Sequence, residues 1–120
     1  MSITSDLIRG HTETVILAKL KEHDSYGYEI NKAVRTASGD RYELKEATLY
    51  TAFKRLEDAG SITSYWGDQG SGARRKYYTI TETGKQILQQ KLGEWLEARQ
   101  LLDALLGTEG FYGTQITACN

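Results

Sequence analysis

The segment Glu46-Ala-Thr-Leu-Tyr-Thr-Ala-Phe-Lys-Arg-Leu-Glu-Asp-Ala-Gly60 constrains this chain more than any other. Leu49, Ala52, Phe53 and Leu56 recur at i, i+3, i+4 and i+7, the spacing of one buried stripe on an α-helix. Thr48, Thr51, Lys54 and Arg55 then fall on the outward side. A helix with a basic, hydroxyl-bearing face suits the major groove of DNA, where such side chains reach base edges and phosphates. Gly60 stands where a helix ends in a left-handed residue. Beyond it, Ser61-Ile-Thr-Ser-Tyr-Trp66 and Tyr77-Tyr-Thr-Ile-Thr81 alternate outward polar with inward apolar residues, flanking the glycine-rich loop Gly67-Asp-Gln-Gly-Ser-Gly-Ala73. Arg74, Arg75 and Lys76 enter the return strand. Helix, stop, two-stranded wing and basic triplet together predict a winged helix-turn-helix, a mainly α fold with a small β-hairpin.

Earlier in the chain, residues 6–22 carry Leu7, Ile8, Val15, Ile16, Leu17 and Leu20 in a broad apolar face, predicting a first helix with Gly10 as its weak point. Asp24-Ser25 offers an N-cap to a second helix through Arg35, with Tyr28, Ile30 and Val34 buried, before Ser38-Gly-Asp40 breaks it. The third helix has no Ser, Thr, Asp or Asn cap in Leu44-Lys45-Glu46 and is placed to begin near Glu46. Tyr65, Trp66, Tyr77 and Tyr78 are expected to secure the wing against the helices. Stacking on single-stranded bases is the weaker reading of those rings.

A fourth helix is predicted over residues 81–106. At 1.5 Å per residue it spans on the order of 40 Å, longer than a cover for so small a core requires. Leu88, Leu92, Trp95, Arg99, Leu102 and Leu106 recur at alternating steps of four and three, as in a coiled-coil seam. Leu96 and Leu105 widen it. A lone chain leaves this stripe wet, so a two-fold partner is expected, with the first helix joining the interface. Gly93 costs about 1 kcal/mol relative to alanine inside a helix, which a closely approaching second backbone can offset. The expected organisation is a DNA-binding domain over 1–80, a dimerisation helix over 81–106 and a flexible tail over 107–120.

Charge tests the nucleic-acid reading, because DNA binding relies on clustered cations that displace counterions. The net charge is −1, and residues 1–80 hold 12 Lys and Arg against 11 Asp and Glu. The total therefore argues nothing, and the case rests on two local clusters: Lys45, Lys54 and Arg55 on the third helix, and Arg74, Arg75 and Lys76 on the wing. Other chemistry finds little footing. His11 and His23 lack neighbours at metal-ligand spacing, the glycine loop lacks the lysine and hydroxyl of a P-loop, and Cys119 lies in the tail without a basic or resolving neighbour. No enzyme, metal or cofactor is expected. The first six residues lack the regions of a signal peptide and no apolar run reaches membrane-spanning length, so a cytoplasmic location without membrane attachment is expected.

The segments Tyr26-Gly-Tyr-Glu-Ile30, Ala47-Thr-Leu-Tyr50, Lys54-Arg-Leu-Glu57, Ser64-Tyr-Trp66, Arg74-Arg-Lys-Tyr-Tyr78 and Thr81-Glu-Thr-Gly84 closely resemble the phenolic-acid-decarboxylase regulator (PadR) family over residues 7–106. Within it the chain looks most like the short-form members with one carboxy-terminal helix, including a lactococcal multidrug-binding repressor that has a tryptophan where Trp95 stands. It departs from many members at Ala47 and Thr51, where they carry glycine and proline. The resemblance implies a homodimeric repressor of a palindromic double-stranded DNA operator, contacted by Lys45, Thr48, Tyr50, Thr51, Lys54, Arg55, Arg74, Arg75 and Lys76. The dimer interface would take Leu88, Leu92, Trp95, Leu96, Leu102 and Leu106. Periodicity alone makes Trp95 interface packing. The resemblance adds a second reading, in which paired indoles sandwich a planar aromatic effector beside Thr14, Leu17, Ala18 and Arg99, with Glu13 opposing the Arg99 charge. The alternative function is a protein-interaction module that uses the winged helix and the seam without DNA.

Overall fold

The computed structural model describes residues 3–67 and 74–111. Most of the expected glycine-rich loop, the tail from residue 112 and Cys119 lie outside the described residues. The elements run α1 (Ile3–Arg9), α2 (Thr12–Glu22), β1 (Ser25–Tyr26), α3 (Gly27–Ala37), α4 (Glu46–Asp58), β2 (Ile62–Gly67), β3 (Arg75–Ile80) and α5 (Glu82–Leu106). The chain divides into two compact units, residues 1–88 and 89–120, with the boundary inside α5.

The single helix expected over residues 6–22 is two. Gly10 carries no side chain to favour the helical well, and the Thr12 hydroxyl donates to the Arg9 carbonyl at 2.9 Å, a local bond that competes with the helical ladder. The chain restarts at Thr12, and α2 sends Ile16, Leu17 and Leu20 into the core.

Asp24-Ser25 does not cap a helix. Ser25 and Tyr26 instead pair antiparallel with Tyr78 and Tyr77, adding a third strand to the expected hairpin in the order β1-β3-β2. The helix then starts one step later, where the Glu29 carboxylate accepts the Tyr26 N–H at 3.4 Å. Ile30 and Val34 are buried as expected, whereas Tyr28 is 61% exposed and lies under the Arg35 guanidinium, 5.9 Å from its ring centre.

The stripe of α4 packs as its spacing predicts: Leu49, Ala52, Phe53 and Leu56 are all buried. Its end is a Schellman motif, with the Ser61 N–H donating to Leu56 at 2.9 Å, the Gly60 N–H to Glu57 at 3.0 Å, and Gly60 in the left-handed region at φ 77°. Its start has no side-chain cap at Lys45. The preceding residue is held instead: the Asn31 amide donates to the Leu44 carbonyl at 2.7 Å and accepts the Leu44 N–H at 2.8 Å. At the far side of the sheet, Thr81 caps α5 by accepting the Gly84 N–H at 3.1 Å, while its own N–H donates to Ser61 at 3.0 Å. Phe53 of α4 stacks on Tyr78 of β3 with centroids 3.9 Å apart, tying helix to wing inside the core.

Candidate nucleic-acid interface

The outward residues of α4 stand where the period requires. Thr48, Thr51, Lys54 and Arg55 are exposed, as is Lys45 at the helix entry. Lys54 lies 3.7 Å from Asp58, an exposed pair one turn apart that contributes little and leaves the ammonium at the surface. Arg55 is more constrained. Glu13 of α2, expected opposite Arg99, sits 3.4 Å from Arg55 and braces the far end of the α4 face. Tyr50 is half-exposed and makes an edge contact with Phe53. Its hydroxyl lies over Gly27, where an added Cβ would approach it to 2.8 Å, so Gly27 is what lets α3 and α4 meet there.

The wing strands pair with Trp66 opposite Lys76, Tyr65 opposite Tyr77 and Gly67 opposite Arg75. Because side chains alternate across a strand, this register splits the basic triplet. Lys76 shares a face with Tyr78, whose ring it approaches to 5.8 Å, and Tyr78 is the residue that stacks on α4. The Arg74 guanidinium lies 5.4 Å from the Trp66 ring centre, beside the cross-strand partner of Lys76. Arg75 belongs to the other face and lies 4.8 Å over the Tyr26 ring. The wing triplet is thus divided, with Arg74 and Lys76 on one side and Arg75 on the other.

The aromatic residues divide in the same way. Of the four expected anchors, Tyr78 stacks on Phe53 of α4, and burial pushes its phenol pKa up, with the Glu57 charge adding to the effect. Along the inner side of β2, exposure grows from Ile62 at 1% to Trp66 at 56%, because the strand runs beyond the helical core. Trp66 therefore keeps to the inner side of the strand, as its alternation suggests, but lies outside the core. On the outer side, Tyr65 stacks parallel to Tyr77 at 5.6 Å, and Tyr77 meets Tyr26 edge-on at 5.4 Å. The Tyr65 hydroxyl donates to Asp24 at 2.7 Å, and that bond is the main reason its pKa is raised.

The remaining expected site residues separate by unit. Thr14 and Ala18 are half-buried and Leu17 is fully buried in the core of the first unit. Leu88 is only 1% exposed and belongs to that same core, so it has no surface left for a partner, unlike its expected role in the seam. Trp95 and Arg99 lie in the second unit, where Leu92, Trp95, Leu96, Leu102 and Leu106 are all exposed, together with Leu101 and Leu105. An open cleft of about 480 Å³ lies between α2 and α3, near Lys19, Tyr28 and Lys32, and none of the expected effector residues lines it. Among the described residues there is no group of His, Cys, Asp and Glu fit to hold a metal ion, and no helix is long and apolar enough to cross a membrane.

Residues 16–90 match the transcriptional regulator PadR-like family. The chain is 41% identical over 104 residues to an uncharacterized protein of Lysinibacillus sphaericus, covering 87% of this chain and 95% of the relative. It is 29% identical to the negative transcriptional regulator PadR of Bacillus subtilis over 87% of its own length, spanning 55% of that longer protein. Among solved structures, a transcriptional regulator from Clostridium thermocellum superposes with a TM-score of 0.76 at 46% identity, over 83% of this chain and 97% of that one. A PadR family regulator from Clostridium difficile gives 0.70 at 38% identity, over 80% and 98%. With its winged helix, outward basic helix face and split basic wing, the chain belongs to the PadR-like family of transcriptional regulators, a family of regulators and not of enzymes.

Proposed function

We propose that the chain is a dimeric repressor that binds a palindromic operator through residues 1–80 and pairs through the helix over 81–106. Each protomer lays α4 in a major groove, with Thr48 and Thr51 toward base edges and Lys45, Lys54 and Arg55 toward phosphates, while the wing follows the adjacent backbone. The observation that carries this reading is the exposed face of α4 formed by Thr48, Thr51, Lys54 and Arg55, on a helix whose opposite, buried side is tied to the wing by the stack of Phe53 on Tyr78. Tyr50 completes the DNA-facing set from the edge of that face.

Pairing through α5 is supported by the leucines and tryptophan left exposed beyond Leu88, an apolar stripe that a second copy of the same helix covers symmetrically. In this reading the two Trp95 rings bracket a planar aromatic effector, with Arg99 selecting electron-rich or anionic ligands, as in the multidrug-binding repressors the sequence resembles.

The test is a mobility shift on the DNA upstream of the chain's own gene at several salt concentrations. A sequence-selective shift that weakens steeply with salt is expected. Arg74→Ala with Lys76→Ala should weaken binding to all sequences and lower the salt slope by about one for each phosphate that is no longer neutralised. Thr48→Ala or Thr51→Ala should change sequence preference instead. A chain that shifts no duplex at low salt would be a protein-docking module, and the repressor reading would fall.

A further inference from the structure

The split of the basic triplet leaves Arg75 on the wing face that α4 does not share, and that face is built of tyrosines. Tyr26, Tyr77 and Tyr65 lie opposite one another on three adjacent strands. The row is fixed at its end by the 2.7 Å bond from Tyr65 to Asp24, and each ring fixes the next: Tyr65 stacks on Tyr77, and Tyr77 meets Tyr26 at 69°. Tyr26 itself is half-buried, so its ring is a rigid surface, with the Arg75 guanidinium 4.8 Å above its centre. A guanidinium is drawn to the negative face of an aromatic ring, so the Tyr26 ring fixes where the exposed Arg75 head group lies.

We propose that Tyr26 is a positioning residue for DNA binding: it holds Arg75 against the outer face of the wing, so that Arg75 meets one DNA strand while Arg74 and Lys76 meet the other. A two-stranded wing entering a groove presents its two faces to opposite walls. Cations confined to one face would grip one strand only. The alternation at 74, 75 and 76 distributes them to both, and each side has its own aromatic support, Trp66 for Arg74 and Tyr26 for Arg75. Tyr26 comes from β1, far from the wing in sequence, which couples the docking of that short strand to the grip on DNA.

This inference rests on the DNA-binding reading, and the experiment separates the two. Binding to a poly(dA-dT) duplex is followed by fluorescence anisotropy over a range of salt for the unmodified chain, Arg75→Ala, Tyr26→Leu, Tyr26→Phe and the Tyr26→Leu, Arg75→Ala double variant. Tyr26→Leu should weaken binding about two- to fivefold, the size of an exposed cation–π contact, and reduce the salt slope in the same sense as Arg75→Ala. Tyr26→Phe keeps the ring and should bind like the unmodified chain. The double variant should be no weaker than Arg75→Ala alone, whereas Tyr26→Leu and Arg74→Ala should add. An unchanged slope in Tyr26→Leu, or additivity between Tyr26→Leu and Arg75→Ala, overturns the proposal while DNA binding stands. Absence of salt-dependent binding by the unmodified chain overturns both. Should Tyr26→Leu not fold, phenylalanines of increasing fluorination at position 26 keep the shape while weakening the negative face: affinity falling with each fluorine supports the proposal, and indifference to fluorine overturns it.

Discussion

Asn31 grips Leu44 with both ends of its amide, donating to the carbonyl at 2.7 Å and accepting the N–H at 2.8 Å. This two-point clamp from α3 holds the turn that delivers α4, and it stands in for the side-chain cap that Lys45 does not provide. Asn31→Ala should strand two backbone groups beside the buried Leu44 side chain and destabilise the fold by about 1–3 kcal/mol. Urea denaturation would measure that loss. Because the clamp sets the entry of α4, DNA affinity should also drop under conditions where the variant remains folded. Unaltered denaturation midpoint and slope would mean that water replaces the amide without penalty.

Gly84 marks a second close approach. Thr81 turns the chain over Ser61, and a Cβ at position 84 would run into the Ser61 carbonyl oxygen and crowd Ile80. That oxygen belongs to backbone held between the end of α4 and the start of α5, so it cannot swing aside as a side chain can. Gly84→Ala should therefore cost about 1–3 kcal/mol of stability despite alanine's better helix propensity. Gly27→Ala meets the end of the Tyr50 side chain and should cost less. Thermal unfolding of the two variants side by side tests the order, and a Gly84→Ala protein as stable as its parent would contradict the packing described.

These two contacts also show where sequence reading stops. The stripe on α4 and its Gly60 stop were legible because both depend on near neighbours: a helical period, and one glycine whose conformation the Schellman motif requires. The outward Thr48, Thr51, Lys54 and Arg55 follow from the same period. Ser25 and Tyr26 were not legible as a strand, since two residues carry no alternation, and their pairing is decided by Tyr77 and Tyr78 on a distant segment. Trp66 obeys its alternation but lies past the end of the core, and strand pattern alone cannot say how far the covering helix reaches. The splitting of Arg74, Arg75 and Lys76 was available from period-2 geometry, whereas the Tyr26 support for Arg75 required the third strand. Leu88 fits the seam repeat equally well as the last core residue or the first interface residue, and only packing distinguishes them.

If the chain pairs through α5 as proposed, Leu92 and Gly93 are informative neighbours. Leu92 is 40% exposed on the helix, and Leu92→Glu should place a carboxylate in the apolar seam and weaken self-association by several kcal/mol, since a buried unpaired charge has no compensating partner. Gly93 has no atom near an added Cβ within one chain. Gly93→Ala is therefore expected to stabilise the helix by about 1 kcal/mol and leave the dimer intact. Light scattering and sedimentation over a dilution series measure both effects. A folded monomer of the unmodified chain at micromolar concentration would refute the pairing, and a dimer weakened by Gly93→Ala would reveal a partner backbone lying against that position.

Trp95 tests whether the exposed stripe also binds a ligand. Its indole is 44% exposed, and the chain's other tryptophan, Trp66, is on the wing, so fluorescence can be assigned by substitution. If planar aromatic ligands stack at Trp95, titration should quench emission in the unmodified chain and in Trp66→Phe, but not in Trp95→Ala. Removal of the indole should weaken binding by about 0.5–1.5 kcal/mol beyond the effect of its buried area. Arg99, one turn further along α5, gives the test a sign: Arg99→Asp should favour cationic dyes and disfavour aromatic carboxylates through reversal of the local charge. Regulation demands more than binding, because a ligand with equal affinity for every dimer geometry shifts none of them. Operator affinity must therefore fall as the ligand is added, and the ligand must bind less tightly when operator is present, by the same factor. A panel of phenolic acids, flavins and planar drugs that neither quenches Trp95 nor alters operator affinity would leave the indole as packing in the proposed seam and the regulator controlled by its own abundance.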